Sequence, residues 1–187
     1  MTDTPSPETP MPPPAPALRI REAQPGDAAA IAELLRGIGW FKAYEHSTPE
    51  QATAAVQAVI ANAQLGERSL LLVAENADTP EQGLLGYCAV HWLPLAIQQG
   101  WEGYVSELFV PEAARGSGAG SRLLDAAVQA ARERGCSRIW LVNNRQRPSY
   151  TRGFYKQQGW SEQPDIARFM LSLAPDSAAA PSSSPAR

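Results

Sequence analysis

Apolar and charged residues alternate at Leu18-Arg19-Ile20-Arg21, the period of a half-buried strand. Pro25-Gly26-Asp27 then turns the chain, and Asp27 is placed to cap a helix. On that helix Ile31, Leu34, Leu35 and Ile38 recur on one face, and Gly37 and Gly39 loosen its end. A second helix carries its own start signals: Thr48 as cap, Pro49 in the first turn and Gln51 completing a capping box. Val56, Val59, Ile60 and Ala63 form its apolar stripe, and Gly66 is placed to stop it.

Three strands follow by the same patterning, over Leu70–Glu75, Leu84–Trp92 and Tyr104–Val110. The turn-rich stretch from Asn76 to Gly83 reads as the hairpin between the first two. A long helix spans Gly118 to Arg134 and stops at Gly135, with Leu123, Ala127 and Ala130 on one face and Leu124, Val128 and Ala131 beside it. Arg138–Val142 is a short apolar strand, Tyr150–Gln157 a short helix interrupted by Gly153, and Ile166–Leu173 a final strand. The order β-α-α-β-β-β-α-β-α-β is that of a mixed α/β domain.

Composition narrows the class. The 187 residues suit one domain, and 44% hydrophobic content is ordinary for a globular protein. Residues 1–17 and 175–187 are rich in Pro, Ser, Thr and Ala, and bury too little apolar surface to offset the entropy of ordering, so both are expected to be disordered tails around a domain at 18–174. A net charge of −3 gives no footprint for nucleic acid, although Arg145, Arg147 and Arg152 lie close together. Two distant cysteines, Cys88 and Cys136, suit a reducing compartment rather than a disulfide scaffold. No apolar run approaches the roughly 20 residues of a membrane-spanning helix, and the start Met-Thr-Asp-Thr-Pro is not a secretory signal. A cytoplasmic protein without membrane contact is the expectation.

The chemistry concentrates after the strand Ser106-Glu107-Leu108-Phe109-Val110. There Pro111 precedes Arg115-Gly116-Ser117-Gly118-Ala119-Gly120-Ser121, which opens the long helix. Unpaired amides at a helix start carry the positive end of its dipole, glycines remove the Cβ atoms that would hold a diphosphate away, and Arg115 adds charge-assisted hydrogen bonds. Glycines alone would also suit a mobile surface turn. The dinucleotide fingerprint is excluded, because Ser121 stands where its third glycine belongs, and the P-loop is excluded for want of a lysine.

What remains is Arg-x-x-Gly-x-Gly, as Arg115, Gly118 and Gly120, behind Glu-Leu-Phe-Val-Pro. This resembles the coenzyme A motif of the GCN5-related N-acetyltransferase (GNAT) superfamily, and the order of elements resembles that family over nearly the whole folded region. The resemblance implies a GNAT-like fold: a central mixed, mostly antiparallel sheet, splayed at strands 4 and 5 to admit the cofactor and flanked by helices. It implies that backbone groups of Leu108, Phe109 and Val110 pair with the pantetheine arm. Backbone amides of Arg115, Gly116, Ser117, Gly118, Ala119, Gly120 and Ser121 would then hold the diphosphate of acetyl-CoA, the acyl donor. No metal is expected.

Acetylating an amine requires the neutral amine. At pH 7 this costs roughly 4.6 kcal/mol for a lysine-like amine and roughly 1.4 for an α-amine. The departing thiolate also needs a proton. Arg152-Gly153-Phe154-Tyr155-Lys156-Gln157-Gln158-Gly159-Trp160 resembles the family's second signature, whose tyrosine points at the cofactor sulfur, so Tyr155 is the candidate acid. The same ring on an amphipathic helix also suits simple core packing, and Tyr150 is the weaker alternative. Glu107, on the strand that meets the cofactor, is the candidate base. It can equally orient the substrate or pair with an arginine. Asn144 or Asn143 follows the fifth strand, where the family has a pantetheine-contacting asparagine. The family spacing, seven residues before the tyrosine, instead falls on Pro148, so the choice between the two stays open.

The loop Gly39-Trp40-Phe41-Lys42-Ala43-Tyr44-Glu45-His46 borders the acceptor pocket in such proteins. Its aromatics, with Trp92 and Trp101, can form an acceptor wall or simply pack the loop on the core. Cys88 reads as a buried strand residue, Cys136 has no histidine near it in sequence, and His46 and His91 are too isolated for a metal site. The implied partner is a small-molecule or peptide amine, and a homodimer is compatible with this reading. The competing class is a non-catalytic module that binds coenzyme A to regulate or scaffold.

Overall fold

The computed structural model describes residues 17–171 and 173. The expected tails lie outside those residues, apart from Ala17, whose carbonyl accepts from the Ala77 amide at 2.7 Å. The chain divides into two units, one ending at Asn144 and the other beginning at Arg145.

In the first unit the alternating segments form one sheet of β1 (Leu18–Glu22), β2 (Ser69–Asn76), β3 (Leu84–Leu95), β4 (Gly100–Phe109) and β5 (Cys136–Leu141), in that spatial order. The first four strands are antiparallel neighbours, while β5 returns parallel to β4, as a helical crossover requires. The helices are α1 (Ala28–Gly37), the single turn α2 (Lys42–Glu45), α3 (Pro49–Gly66) and the crossover α4 (Ala119–Glu133). The result is the expected mixed, mostly antiparallel sheet flanked by helices.

Alternation along the central strands sorts the core into two layers. Leu71, Val73, Tyr87 and Ala89 bury against Ile31, Leu35, Val56 and Ile60 of α1 and α3. The intervening Cys88 and Val90 turn to the other face, which α4 covers with the buried Leu123, Leu124 and Ala127. Each fully buried large aliphatic side chain contributes about 1.5–3 kcal/mol. Gly86 sets the approach of α4: an added Cβ would lie 2.8 Å from Leu123 Cδ1 and 3.2 Å from the Phe109 carbonyl oxygen. Gly86→Val should therefore lower stability by about 1–3 kcal/mol, the usual cost of overpacking. A thermal midpoint equal to that of the parent chain would show that α4 has room to retreat.

Local signals form largely as the sequence reads, with physical exceptions. The α3 capping box closes through Gln51 N to Thr48 Oγ1 at 3.3 Å and Thr48 N to Gln51 Oε1 at 2.9 Å. The left-handed residue that ends α3 is Glu67, at φ 48°, while Gly66 stays in the last turn. Val59 is exposed, because the buried face runs through Ala52, Val56 and Ile60, and residue 59 lies a step off it. The Asp27 side chain does not cap α1. It accepts from the Gln24 amide and from both terminal nitrogens of Arg21, at 2.7 and 2.9 Å for the arginine contacts. Arg21, which also pairs with Glu75, holds both carboxyls below their ordinary range.

In the second unit, Gly153 at φ 68° splits the expected helix into two single turns, α5 (Pro148–Thr151) and α6 (Phe154–Gln157). The expected strand over Ile166–Leu173 is a correction: residues 166–171 and 173 are not strand, and Ile166, Phe169, Met170 and Leu171 are exposed. Phe169-Met170-Leu171 is a consecutive apolar run, not an alternating one. An apolar run becomes a strand only where a neighbour supplies ladder amides and carbonyls.

Candidate active site

The strand that carries the candidate base changes phase within its own length. Val90 pairs with Val105 but the adjacent Ala89 pairs with Glu107, so Ser106 is an extra residue, a β-bulge. Side chains alternate with period two, so one inserted residue carries everything beyond it to the opposite face. Before the bulge, Trp101, Gly103 and Val105 belong to the α4 side. After it, Glu107 and Phe109 face the α1 and α3 side beside Ala89 and Tyr87, and Leu108 pairs with Cys88 on the α4 side.

Glu107 stands among partly shielded groups. Burial raises its carboxyl above the ordinary range, and the Tyr87 hydroxyl and His91 partly offset this by favouring the ionised form. The effect is mutual: burial first, then the Glu107 charge, pushes up the phenols of Tyr87 and Tyr44. The Cys88 thiol, fully buried beneath, is pushed up to about 12, which leaves it inert as a nucleophile. Phe41, from the loop after α1, meets Phe109 edge to face at 5.3 Å and Tyr44 at 6.3 Å. Phe41 and Tyr44 thus pack on the core and adjoin the Glu107 face at once. Trp92 and Trp101 are not part of that wall. They belong to the α4 side, where both rings take the Arg134 guanidinium, at 5.6 and 5.0 Å from their centroids.

Beyond Glu107 the sheet opens. The β4–β5 ladder stops at Val105 and Leu141, while β4 continues to Phe109. From Ser106 to Phe109, the edge of β4 that faces away from β3 has no strand partner among the described residues. Asn143 and Asn144 follow β5 after Val142, on its side of this opening. An extended ligand carrying amides, such as a pantetheine arm, fits an open strand edge of this kind.

The glycine loop completes the first unit's share. Gly116 and Gly118 stand at φ 86° and 87°, and Gly118 is the residue at which α4 begins. Both conformations are ones that side-chain-bearing residues avoid. Ser117 Oγ accepts from the Ala119 amide at 3.3 Å, a bond that steadies the turn. The first-turn amides of α4 have no acceptor within their own helix, while in the loop before it the Arg115 and Ser117 amides donate to the Glu112 and Ala114 carbonyls at 3.1 and 3.3 Å. Arg115 pairs with the exposed Glu112 at 3.6 Å, a contact weak enough to yield to a phosphate. A diphosphate therefore fits the donor set: a cationic side chain, a helix start, and two positions free of Cβ atoms.

Tyr155 lies in the second unit, on α6, half-buried, with Phe154 at 5.1 Å and Trp160 at 6.3 Å around its ring. The Tyr150 hydroxyl is committed to the Glu162 carboxylate at 3.0 Å, which Arg145 also holds at 2.8 Å. Arg145 thus has an acidic partner within its own unit.

His91, isolated in the sequence, has two side-chain partners in the sheet. Its ring nitrogens lie 2.9 Å from Ser69 Oγ and 2.9 Å from Ser106 Oγ. Alternation alone puts His91 on the face of Ala89 and Tyr87, but its contact with Ser106 depends on the bulge, which leaves no local signature.

Known proteins share this sequence pattern and fold. The profile of the acetyltransferase (GNAT) family matches residues 38–160. An acetyltransferase of Agrobacterium fabrum is 41% identical over 83 residues, 42% of this chain and 53% of that protein. Glucosamine 6-phosphate N-acetyltransferase 1 of Oryza sativa is 37% identical over 100 residues, 54% of this chain and 58% of that protein. The chain thus spans somewhat more than half the length of each of these curated relatives. A solved structure described as a transcriptional regulator of Bacillus halodurans superposes with a TM-score of 0.67 at 27% identity, covering 82% of this chain and 99% of its own.

Proposed function

The chain belongs to the GNAT acetyltransferase family, and from that membership we propose that it transfers the acetyl group of acetyl-CoA to a primary amine by direct attack in a ternary complex. One observation carries the reading: the open edge of β4 leads, through Val110, Pro111 and the single turn Glu112–Ala114, into the glycine loop and the start of α4. An extended arm ending in a diphosphate needs those two features in that order.

Backbone groups of Leu108, Phe109 and Val110 hold the pantetheine arm as an added strand would be held. Within the run from Arg115 to Ser121, the amides of Gly116, Gly118, Gly120 and Ser121 hold the diphosphate with the Arg115 side chain, and Asn144, or Asn143 beside it, meets the arm from beyond β5. Glu107 takes one proton from the acceptor ammonium, so that the neutral nitrogen attacks the thioester carbonyl. The C–N bond forms and the C–S bond breaks. Tyr155 lends a proton to the departing sulfur and recovers one from the acylated nitrogen. The acceptor lies on the Glu107 face, bounded by Phe41 and Tyr44.

The test is thiol release from acetyl-CoA against a panel of amines: glucosamine 6-phosphate, in view of the name of the rice relative, a peptide α-amine, a lysine side chain and a polyamine. Tyr155→Phe should cut kcat by about 100-fold while keeping acetyl-CoA affinity, the low end for general acid catalysis. Unchanged turnover would remove the acid role. Uptake of acetyl-CoA with no thiol release for any amine would favour the non-catalytic module. Calorimetry that finds no binding at millimolar acetyl-CoA would end the whole reading.

A further inference from the structure

We propose that the indole of Trp140, stacked on Tyr104, is an acceptor subsite beside Glu107, and that it selects primary amines carrying a flat apolar ring. The inference rests on the acetyl-transfer reading and adds to it the class of acceptor.

Trp92 and Trp101 turn to the α4 side, and two other aromatics stand on the Glu107 face. Tyr104 precedes Val105, whose buried side chain belongs to the α4 side, so Tyr104 faces the other way. Trp140 of β5 is its partner in the parallel ladder. The two rings stack, with centroids 4.3 Å apart and planes 28° from parallel. On the other side of Tyr104 stands the His91 ring, 6.3 Å away and tilted by 34°. The three rings form a row across β3, β4 and β5. Because β5 is the last strand of the sheet, the row ends on an indole with one face turned away from its neighbours, and Trp140 is 36% exposed.

That indole is held in place. Its Nε1–H donates to Glu102 Oε2 at 3.1 Å, and the other oxygen of the carboxylate pairs with Arg138, the β5 residue in register with Glu102. Glu102 is only 2% exposed, and a carboxylate so buried needs its partners. With both oxygens engaged, the carboxylate fixes the plane of the ring and offers no free anion beside it. An indole face also attracts cations, but the exposed Arg138 guanidinium on the same face disfavours a second ammonium there. What remains for a ligand is a large apolar face of fixed orientation, the surface on which another ring stacks or lies flat.

Register sets the reach. Glu107 pairs with Ala89 and Tyr104 with His91, two residues along β3, a separation of about 7 Å. Trp140 lies one strand further, about 4.8 Å to the side. An amine nitrogen at Glu107 is therefore joined to a ring at Trp140 by a tether of about two to four methylenes. The β4–β5 ladder ends at Val105 and Leu141, the next residues along, so the subsite borders the opening of the sheet.

The test reads kcat/KM by thiol release for phenylalkylamines with two to four methylenes, for cyclohexyl amines on the same tethers and for hexylamine. The parent chain should favour a ring-bearing amine over hexylamine. In Trp140→Ala that ratio should fall about tenfold, with the loss in the KM of the ring-bearing amine, and Trp140→Phe should recover most of it. Comparing the ratio between chains cancels the differing basicity of the amines. A preference for phenyl over cyclohexyl marks recognition by the π face, and equal preference marks recognition by shape; both uphold the subsite. A ratio that Trp140→Ala leaves in place overturns it, whether or not the mass of the variant in solution halves through loss of a second copy seated on the ring. Should the alanine variant fail to fold, Trp140→Leu, which keeps apolar volume but no ring face, takes its place. A parent chain with no ring preference overturns the proposal without any variant. If no amine releases thiol, acetyl transfer itself falls, and calorimetry decides the subsite: the phenylalkylamine should bind the parent and lose about tenfold in Trp140→Ala, and equal binding or none overturns it.

Discussion

Gly118→Glu is expected to weaken acetyl-CoA binding by at least about 100-fold in a chain that still folds. Gly118 sits at φ 87° at the start of α4, where a residue with a side chain bears about 1–2 kcal/mol of backbone strain. The space itself is open, since an added Cβ would meet only Leu18 Cδ1, at an ordinary 3.7 Å. A carboxylate there lies at the positive end of the α4 dipole, which returns part of the strain. It does so by occupying the amides that a diphosphate would use. Two like charges 4 Å apart repel by about 4 kcal/mol at an effective dielectric constant near 20, and about 1.4 kcal/mol is tenfold in affinity. Gly118→Ala bears the strain without the charge and should lose much less. Calorimetry with acetyl-CoA, beside a thermal melt of each variant, separates the two contributions. Binding by the glutamate variant as tight as that of the parent would place the diphosphate elsewhere.

That loop was legible in the sequence because its physics is local. Arg115, Gly116 and Gly118 do their work within a few residues of one another, as Thr48 and Gln51 do at the start of α3. Elements that depend on distant partners read less well. Ile166–Leu173 has apolar content enough for a strand, yet its state depends on whether other backbone comes alongside, which no window of sequence records. Trp92 and Trp101 suit a pocket wall and the core equally by sequence, and strand parity puts them on the α4 side, around Arg134. The bulge at Ser106 is the most consequential hidden feature. Counted by simple alternation from Val105, Glu107 would point to the α4 face and away from Phe41 and Tyr44. A single unpaired residue reverses that, and it also brings the Ser106 hydroxyl to the His91 ring. Family resemblance could nominate Glu107 without showing what surrounds it.

Glu107→Gln should slow the enzyme and at the same time stabilise it, in a pH-dependent way. As base, Glu107 must be ionised on a face where burial disfavours the charge. The amide of glutamine keeps the shape and can still accept from the Tyr87 hydroxyl, but it cannot take a proton. Loss of a general base costs about 10²–10⁴ in rate. The size of the loss also reports on the acceptor. A lysine-like amine, which needs roughly 4.6 kcal/mol to lose its proton at pH 7, should suffer far more than an α-amine, which needs roughly 1.4. Stability moves the other way. The folded-state pKa of Glu107 lies above its unfolded value, so the native chain holds this proton more tightly than the unfolded chain does. Wild-type stability must then fall as pH rises from the ordinary carboxyl range through the raised folded value, because the unfolded state releases its proton first. Glutamine has no proton to lose, and its stability shows no such fall from this position. The two chains should melt close together in acid and diverge toward neutral pH, with the variant higher. Melting curves that stay parallel from acid to neutral pH would mean that Glu107 bears no burial cost.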